Sequence, residues 1–91
     1  MTNYSRGYNF ELRVLNYYKR RGFFAVRSSG SHGPADIVAI KNGETRLIQC
    51  KLNGYISPDE VKALKAACNR AGAKGYLAYR EGRKLIIKKL S

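Results

Sequence analysis

The sequence predicts a single α/β domain over residues 1–91, with its elements in the order α-β-β-β-α-β-β. Three observations carry this. Apolar residues recur at helical spacing between Ser5 and Arg21; two strand-like runs, "ADIVAI" and "TRLIQCKL", meet across Asn42-Gly43; and Ser57, Pro58 and Glu60 spell a helix start that Gly72 closes. A chain of 91 residues holds one core but buries a smaller share of its surface than a larger protein does, which favours a partner subunit.

In the first helix, Phe10, Val14, Leu15 and Tyr18 form the apolar stripe, and Gly22 supplies a C-terminal stop. "FFAVR" (23–27) is apolar, aromatic and β-branched, so it reads as a short strand before the loop "SSGSHGP". Asn-Gly is the preferred pair for a type I′ turn, so the next two strands should pair antiparallel. In "LIQCKL" (47–52) alternate side chains share a face, which places Ile48, Cys50 and Leu52 toward a core and Gln49 with Lys51 on the opposite side. In the second helix Ser57 is the N-cap, Pro58 takes the first helical position, and Val61, Leu64, Cys68 and Ala71 form the buried stripe. "GYLAY" and "KLIIKKL" flank "REGR" as a final strand pair.

Eighteen Lys and Arg stand against six Asp and Glu, a net charge of +12. Such an excess attracts a polyanion through counterion release, and nucleic acid is the leading candidate, with a generic solubility charge as the alternative. A membrane surface fits poorly, because no Lys-rich amphipathic helix has a broad apolar face. No apolar run approaches the roughly 18 residues of a membrane span, and no signal-like h-region follows Met1. Cys50 and Cys68 lack metal-ligand spacing and read as buried free thiols in a reducing compartment, so the expected location is cytoplasmic.

Chemistry-bearing residues stand out once they are set on these elements. Glu11 precedes Val14, Leu15 and Tyr18 by helical spacings, so its carboxylate borders the apolar stripe; an ordinary glutamate of the helix's first turn is the alternative. Asp36 opens a strand directly after the Ser/Gly loop, where a turn aspartate would also be ordinary. Given the hairpin turn, positions 36 and 49 face each other across the ladder, and Lys51 reaches the same side. An aspartate, an oxygen acceptor and a lysine so arranged suit Mg²⁺-assisted phosphodiester hydrolysis: oxygen donors hold a hard cation, and the lysine neutralises or orients.

The segment "RGYNFELRVLNYYKRRGFFAVRSSGSHGPADIVAIKNGETRLIQCKL" resembles the archaeal-type Holliday junction resolvases of the PD-(D/E)XK nuclease superfamily. It carries in order a basic-Gly-x-x-x-Glu helix, a Gly-Phe-x-x-x-Arg strand, a Ser-Gly-Ser loop, an Asp-hydrophobic strand and an x-x-Lys strand. The resemblance covers nearly the whole chain, short of the C-terminal extension usual in that family. It implies a restriction-endonuclease-like core with a central mixed sheet flanked by helices. It further implies a homodimer acting on branched double-stranded DNA at four-way junctions, Mg²⁺ as cofactor with Mn²⁺ as a substitute, and no small-molecule cofactor.

By position, the resemblance makes Glu11, Asp36, Gln49 and Lys51 catalytic, with Ser31 or Ser29 as the loop serine. Asp36, Gln49, Glu11 and the Cys50 backbone carbonyl would be the metal donors. Arg6 matches the basic residue before the first glycine, and Arg27 the arginine ending the first strand. Arg13, Arg20, Arg21, Arg27, Ser29 and His32 would meet DNA phosphates, although His32 fits a solvated loop residue as well. No base-reading helix is evident, so shape is the expected determinant of binding.

Two positions depart from the family pattern. Leu12 stands where an arginine is frequent beside the glutamate, with Arg13 as the substitute on offer, and Gln49 stands in place of the second metal carboxylate. An amide carbonyl can still ligate a hard cation, but without charge. One unit pair at ~4 Å and an effective dielectric of ~20 is worth about 4 kcal/mol, so the ion should bind more weakly unless another carboxylate, such as Glu11, compensates. Glutamine at this place also occurs in virus-type replication-repair nuclease domains. The leading expectation is thus a metal-dependent, structure-selective endonuclease that resolves four-way junctions by paired cuts. The alternatives are a related nuclease for flaps, single strands or replication-repair substrates, and a catalytically silent junction binder.

Overall fold

Asn42 (φ 51°) and Gly43 (φ 79°) both take left-handed backbone, the requirement of the type I′ turn that the sequence predicts. They join β2 (Ile37–Lys41) to β3 (Glu44–Cys50) in an antiparallel hairpin. The structure, a computed structural model, describes residues 3–28 and 33–91, with residues 3–5 as backbone alone. Around the hairpin lie α1 (Asn3–Arg20), β1 (Phe24–Arg27), α2 (Pro58–Ala71), β4 (Lys74–Glu81) and β5 (Lys84–Lys89), the predicted order.

The strands form one sheet in sequence order, β1-β2-β3-β4-β5. Every neighbouring pair is antiparallel except β3 and β4, which are parallel because α2 carries the chain across between them. Alternation of side chains then assigns the two faces. Ile37, Ala39 and Ile48 pack with Phe10, Val14 and Tyr18 of α1, whereas Val38 and Leu47 pack with Leu64 and Cys68 of α2. Tyr18, Ile37, Ile48, Leu64 and Val14 are fully enclosed. Removing an aliphatic side chain of this kind from water contributes about 1.5–3 kcal/mol, so the central hairpin is clamped from both sides.

The second helix begins as its sequence predicts. The Ser57 hydroxyl accepts from the Glu60 N–H, the Glu60 carboxylate accepts from the Ser57 N–H, and Gly72 ends the helix at φ 64°. Its stripe differs from expectation, because Ala71 is exposed and Ala67 packs against the cluster in its place. Tyr17 and Phe23 flank Tyr18 edge-on, at ring separations of 5.1 and 5.0 Å.

One boundary matters for function. β3 ends at Cys50, so Lys51 lies just past the strand expected to hold it; its N–H still donates to the Ala78 carbonyl at 2.9 Å. The main chain therefore keeps strand-like pairing through Lys51 before turning at Gly54 (φ 82°). No helix among the described residues is long and apolar enough to cross a membrane.

Candidate active site

Asp36 stands immediately before β2 with its main chain fixed on both sides. Its N–H donates to the Ile48 carbonyl, and its own carbonyl accepts from the Ser28 N–H, both at 2.8 Å. Extending the Ile37↔Ile48 register by one pair sets Asp36 opposite Gln49, as the hairpin arithmetic predicts. The residue is only 9% exposed, and Oδ2 accepts from the Cys50 N–H at 2.8 Å. Burial raises its pKa above the ordinary carboxylate value. The Cys50 N–H, Lys51 and Arg27 act against that rise, and the Glu60 charge adds to it.

Gln49 and Lys51 lie with Asp36 in a cleft of about 520 Å³ roofed by the start of α2, where Asp59, Glu60 and Ala63 join the lining. Lys51 Nζ is 2.6 Å from Glu60 Oε2, and the two side chains are 30% and 39% exposed. Glu60 keeps a lowered pKa, first through Lys51 and then through the Ser57 N–H. Cys50 turns its thiol to the α1 side of the sheet, where burial and the neighbouring carboxylates push the pKa upward.

Glu11 is not in this cleft. It sits on α1 and is not among the residues that line the cleft; its Oε1 accepts from Arg27 Nη1 at 3.1 Å. Burial raises its pKa, the Arg27 hydrogen bond opposes that rise, and the Asp36 charge adds to it, so the two carboxylates sense each other without lining one cavity. Strand alternation sets Gln49 toward α2, opposite in sense to Ile48, while Asp36, just before β2, turns its carboxylate to the Cys50 N–H. Among the described residues no three His, Cys, Asp or Glu side chains stand close enough to hold a metal together.

The predicted DNA contacts divide into groups. Arg6 and Arg13 share a groove with Arg80 and Leu52, and Arg6 and Arg80 also border Lys51 and Asn53, forming a basic approach to the cleft rim. Arg13 donates to the Arg83 carbonyl at 2.8 Å. Arg27 is committed to Glu11 and lies over the Tyr8 ring. Arg20 and Arg21 line a different hollow with Lys41 and Arg46, at the hairpin-turn end of the strands and away from Asp36. Ser29, Ser31 and His32 lie outside the described residues.

Sequence reasoning missed Glu60 and Arg80 as parts of this region. Glu60 was visible only as a capping residue, and Arg80 only as part of "REGR". Spacing within one helix or strand does not reveal which neighbouring element a side chain reaches.

A mixed sheet between two helices, with Asp36 at the head of one strand and Lys51 just past the tail of the next, is consistent with the PD-(D/E)XK nuclease fold, with Gln49 where its motif has an acid. The sequence model of the archaeal Holliday junction resolvase (Hjc) family matches residues 2–90, and the chain belongs to that family. Crossover junction endodeoxyribonuclease Hjc of Methanocaldococcus jannaschii is 32% identical over 89 residues, an alignment that covers 92% of this chain. The chain spans 66% of that relative's length. The 1.6 Å structure of Archaeoglobus fulgidus Hjc, a Holliday junction resolvase from an archaeal hyperthermophile, superposes with a TM-score of 0.82. That match is at 28% identity and covers 93% of this chain and 73% of the other.

Proposed function

We propose that this chain forms a homodimeric, single-domain endonuclease that resolves four-way DNA junctions by paired, divalent-ion-dependent phosphodiester hydrolysis. The supporting observation is the cleft in which Asp36, Gln49 and Lys51 meet at the edge of a family-defining fold. The donor set fits the ion. A carboxylate, an amide carbonyl and the Cys50 main-chain carbonyl are oxygen donors of the kind Mg²⁺ or Mn²⁺ accepts. When bound, such an ion supplies an acidified water and positive charge beside the scissile phosphate.

The chain's own groups do the rest. Asp36 holds its carboxylate in one orientation through the Cys50 N–H. Lys51 sets an ammonium at the cleft where negative charge builds on the phosphate. Arg6, Arg13 and Arg80 give the DNA backbone a basic approach to that rim, and Ser29, Ser31 and His32 are proposed to complete the contact from the loop. With +12 net charge, binding draws on phosphates and junction shape rather than base edges. The work belongs where the DNA is, in the cytoplasm.

Dimerisation has its own support. α2 packs over β3 and β4, leaving Phe24, Val26 and Ile40 together on the same face of β1 and β2. Phe24 is 68% exposed, an unusual state for an aromatic paired across strands with an isoleucine. A two-fold pair would carry two equal clefts, matching the symmetry of a four-way junction.

The test incubates purified protein with a labelled four-way junction, a linear duplex and a single strand, with Mg²⁺ or with chelator. Paired, metal-dependent cuts confined to the junction are expected. Cuts in every substrate would point to a less selective nuclease, and retention without cutting to a junction binder, the reading that the uncharged Gln49 favours. Asp36→Asn should abolish cutting while leaving junction retention in a gel-shift assay unchanged.

A further inference from the structure

Gln49 leaves strand β3 without a charge for the ion, and the opposite wall of the cleft carries one. We propose that Glu60, from the first turn of α2, supplies the second carboxylate of the divalent-ion site, with Asp36 opposite and Gln49 contributing a neutral oxygen between them. The inference rests on the reading of this cleft as the ion site.

Several observations support it. Glu60 and Asp36 line the same cleft, whereas Glu11 does not. Glu60 is held in place: Oε1 accepts from the Ser57 N–H at 3.1 Å while its own N–H donates to the Ser57 hydroxyl at 3.2 Å. Its other oxygen, Oε2, meets the Lys51 ammonium at 2.6 Å, so this carboxylate already faces the cation-bearing side of the cleft. A carboxylate oxygen has two lone pairs, and Oε2 can keep Lys51 while facing a metal ion. Asp59 also borders the cleft but is exposed, and no cap contact fixes it there.

The same arrangement gives Lys51 its partner. Asp36, Glu60 and Lys51 together carry one net negative charge, the balance that an acid at position 49 would give with Asp36 and Lys51 alone. The second ligand charge then comes from the helix rather than the strand.

Mn²⁺ binding to the full chain, measured without DNA by calorimetry and by the loss of free-ion paramagnetic resonance signal, tests the inference. Glu60→Gln is the informative variant, because glutamine also serves a capping box and so preserves the helix start; a thermal melt checks this. Relative to wild type, Glu60→Gln should weaken Mn²⁺ binding by roughly tenfold or more, as expected for losing one of two ligand charges. Asp59→Asn should leave it unchanged. Adding Gln49→Glu to Glu60→Gln should restore the affinity.

The failures separate. Wild-type Mn²⁺ affinity in Glu60→Gln, with affinity lost in Asp36→Asn, overturns the role of Glu60 and leaves the ion site standing. Undiminished affinity in Asp36→Asn overturns the site itself. A loss in Glu60→Gln that Gln49→Glu does not restore also overturns the exchange, since Glu60 would then act only by fixing Lys51.

Discussion

Asp36 is the residue on which burial and chemistry pull in opposite directions. It is enclosed, yet the proposed ion site needs it ionised, and burial raises its native pKa above 3.8. A raised native pKa means that the group's contribution to stability is intact below the unfolded value and lost as pH rises through the native one. Asparagine keeps an acceptor for the Cys50 N–H but does not titrate. Thermal melts across pH should therefore show Asp36→Asn more stable than wild type at neutral pH, with the gap closing below about pH 3.8. A gap that widens on acidification would contradict this assignment. At position 49 the expectation runs through charge. Gln49→Glu should raise Mg²⁺ affinity by about tenfold or more, read from the Mg²⁺ concentration giving half-maximal cutting; an unchanged midpoint would count against Gln49 as a ligand.

Among the elements, the interface of α2 with β4 has the least slack. A Cβ on Gly75 would stand 2.9 Å from Ser91 Oγ, 3.0 Å from Cys68 Sγ and 3.3 Å from a Leu64 methyl. Gly75→Ala should cost about 1–3 kcal/mol in chemical denaturation, since the helix must shift to admit it. A change within error would mean that the Ser91 hydroxyl, which accepts from the Gly75 N–H, swings away freely. The elements themselves were largely legible, because their signals are local. Asn42-Gly43 fixed a turn, the turn fixed the register that sets Asp36 against Gln49, and Ser57 with Glu60 fixed a helix start. Tertiary choices were not legible. Periodicity shows that Glu11 and Glu60 each border an apolar stripe, but only the sheet decides that α1 covers one face and α2 the other. Glu11 was therefore expected beside Asp36 and is held by Arg27 outside the cleft's lining, while Glu60 read as a cap and lines the cleft. Lys51 slipped past the strand end for a similar reason, because its pairing comes from β4, a partner distant in sequence.

For the molecule as a whole, the uncovered half of the α2 face is the informative surface. Phe24, Val26 and Ile40 remain open on a chain whose +12 charge otherwise keeps copies apart. Phe24→Asp should convert the proposed dimer to a monomer in light scattering and delay the second nick of a junction relative to the first. A variant that stays dimeric would move the interface elsewhere. The ion pair between Lys51 and Glu60 bears on how such proteins are recognised. A search pattern that insists on an acid two places before the lysine would discard this chain as a dead enzyme. Looking across the neighbouring helix for the displaced carboxylate would keep it, so sequences set aside as inactive by motif alone merit a second inspection in three dimensions.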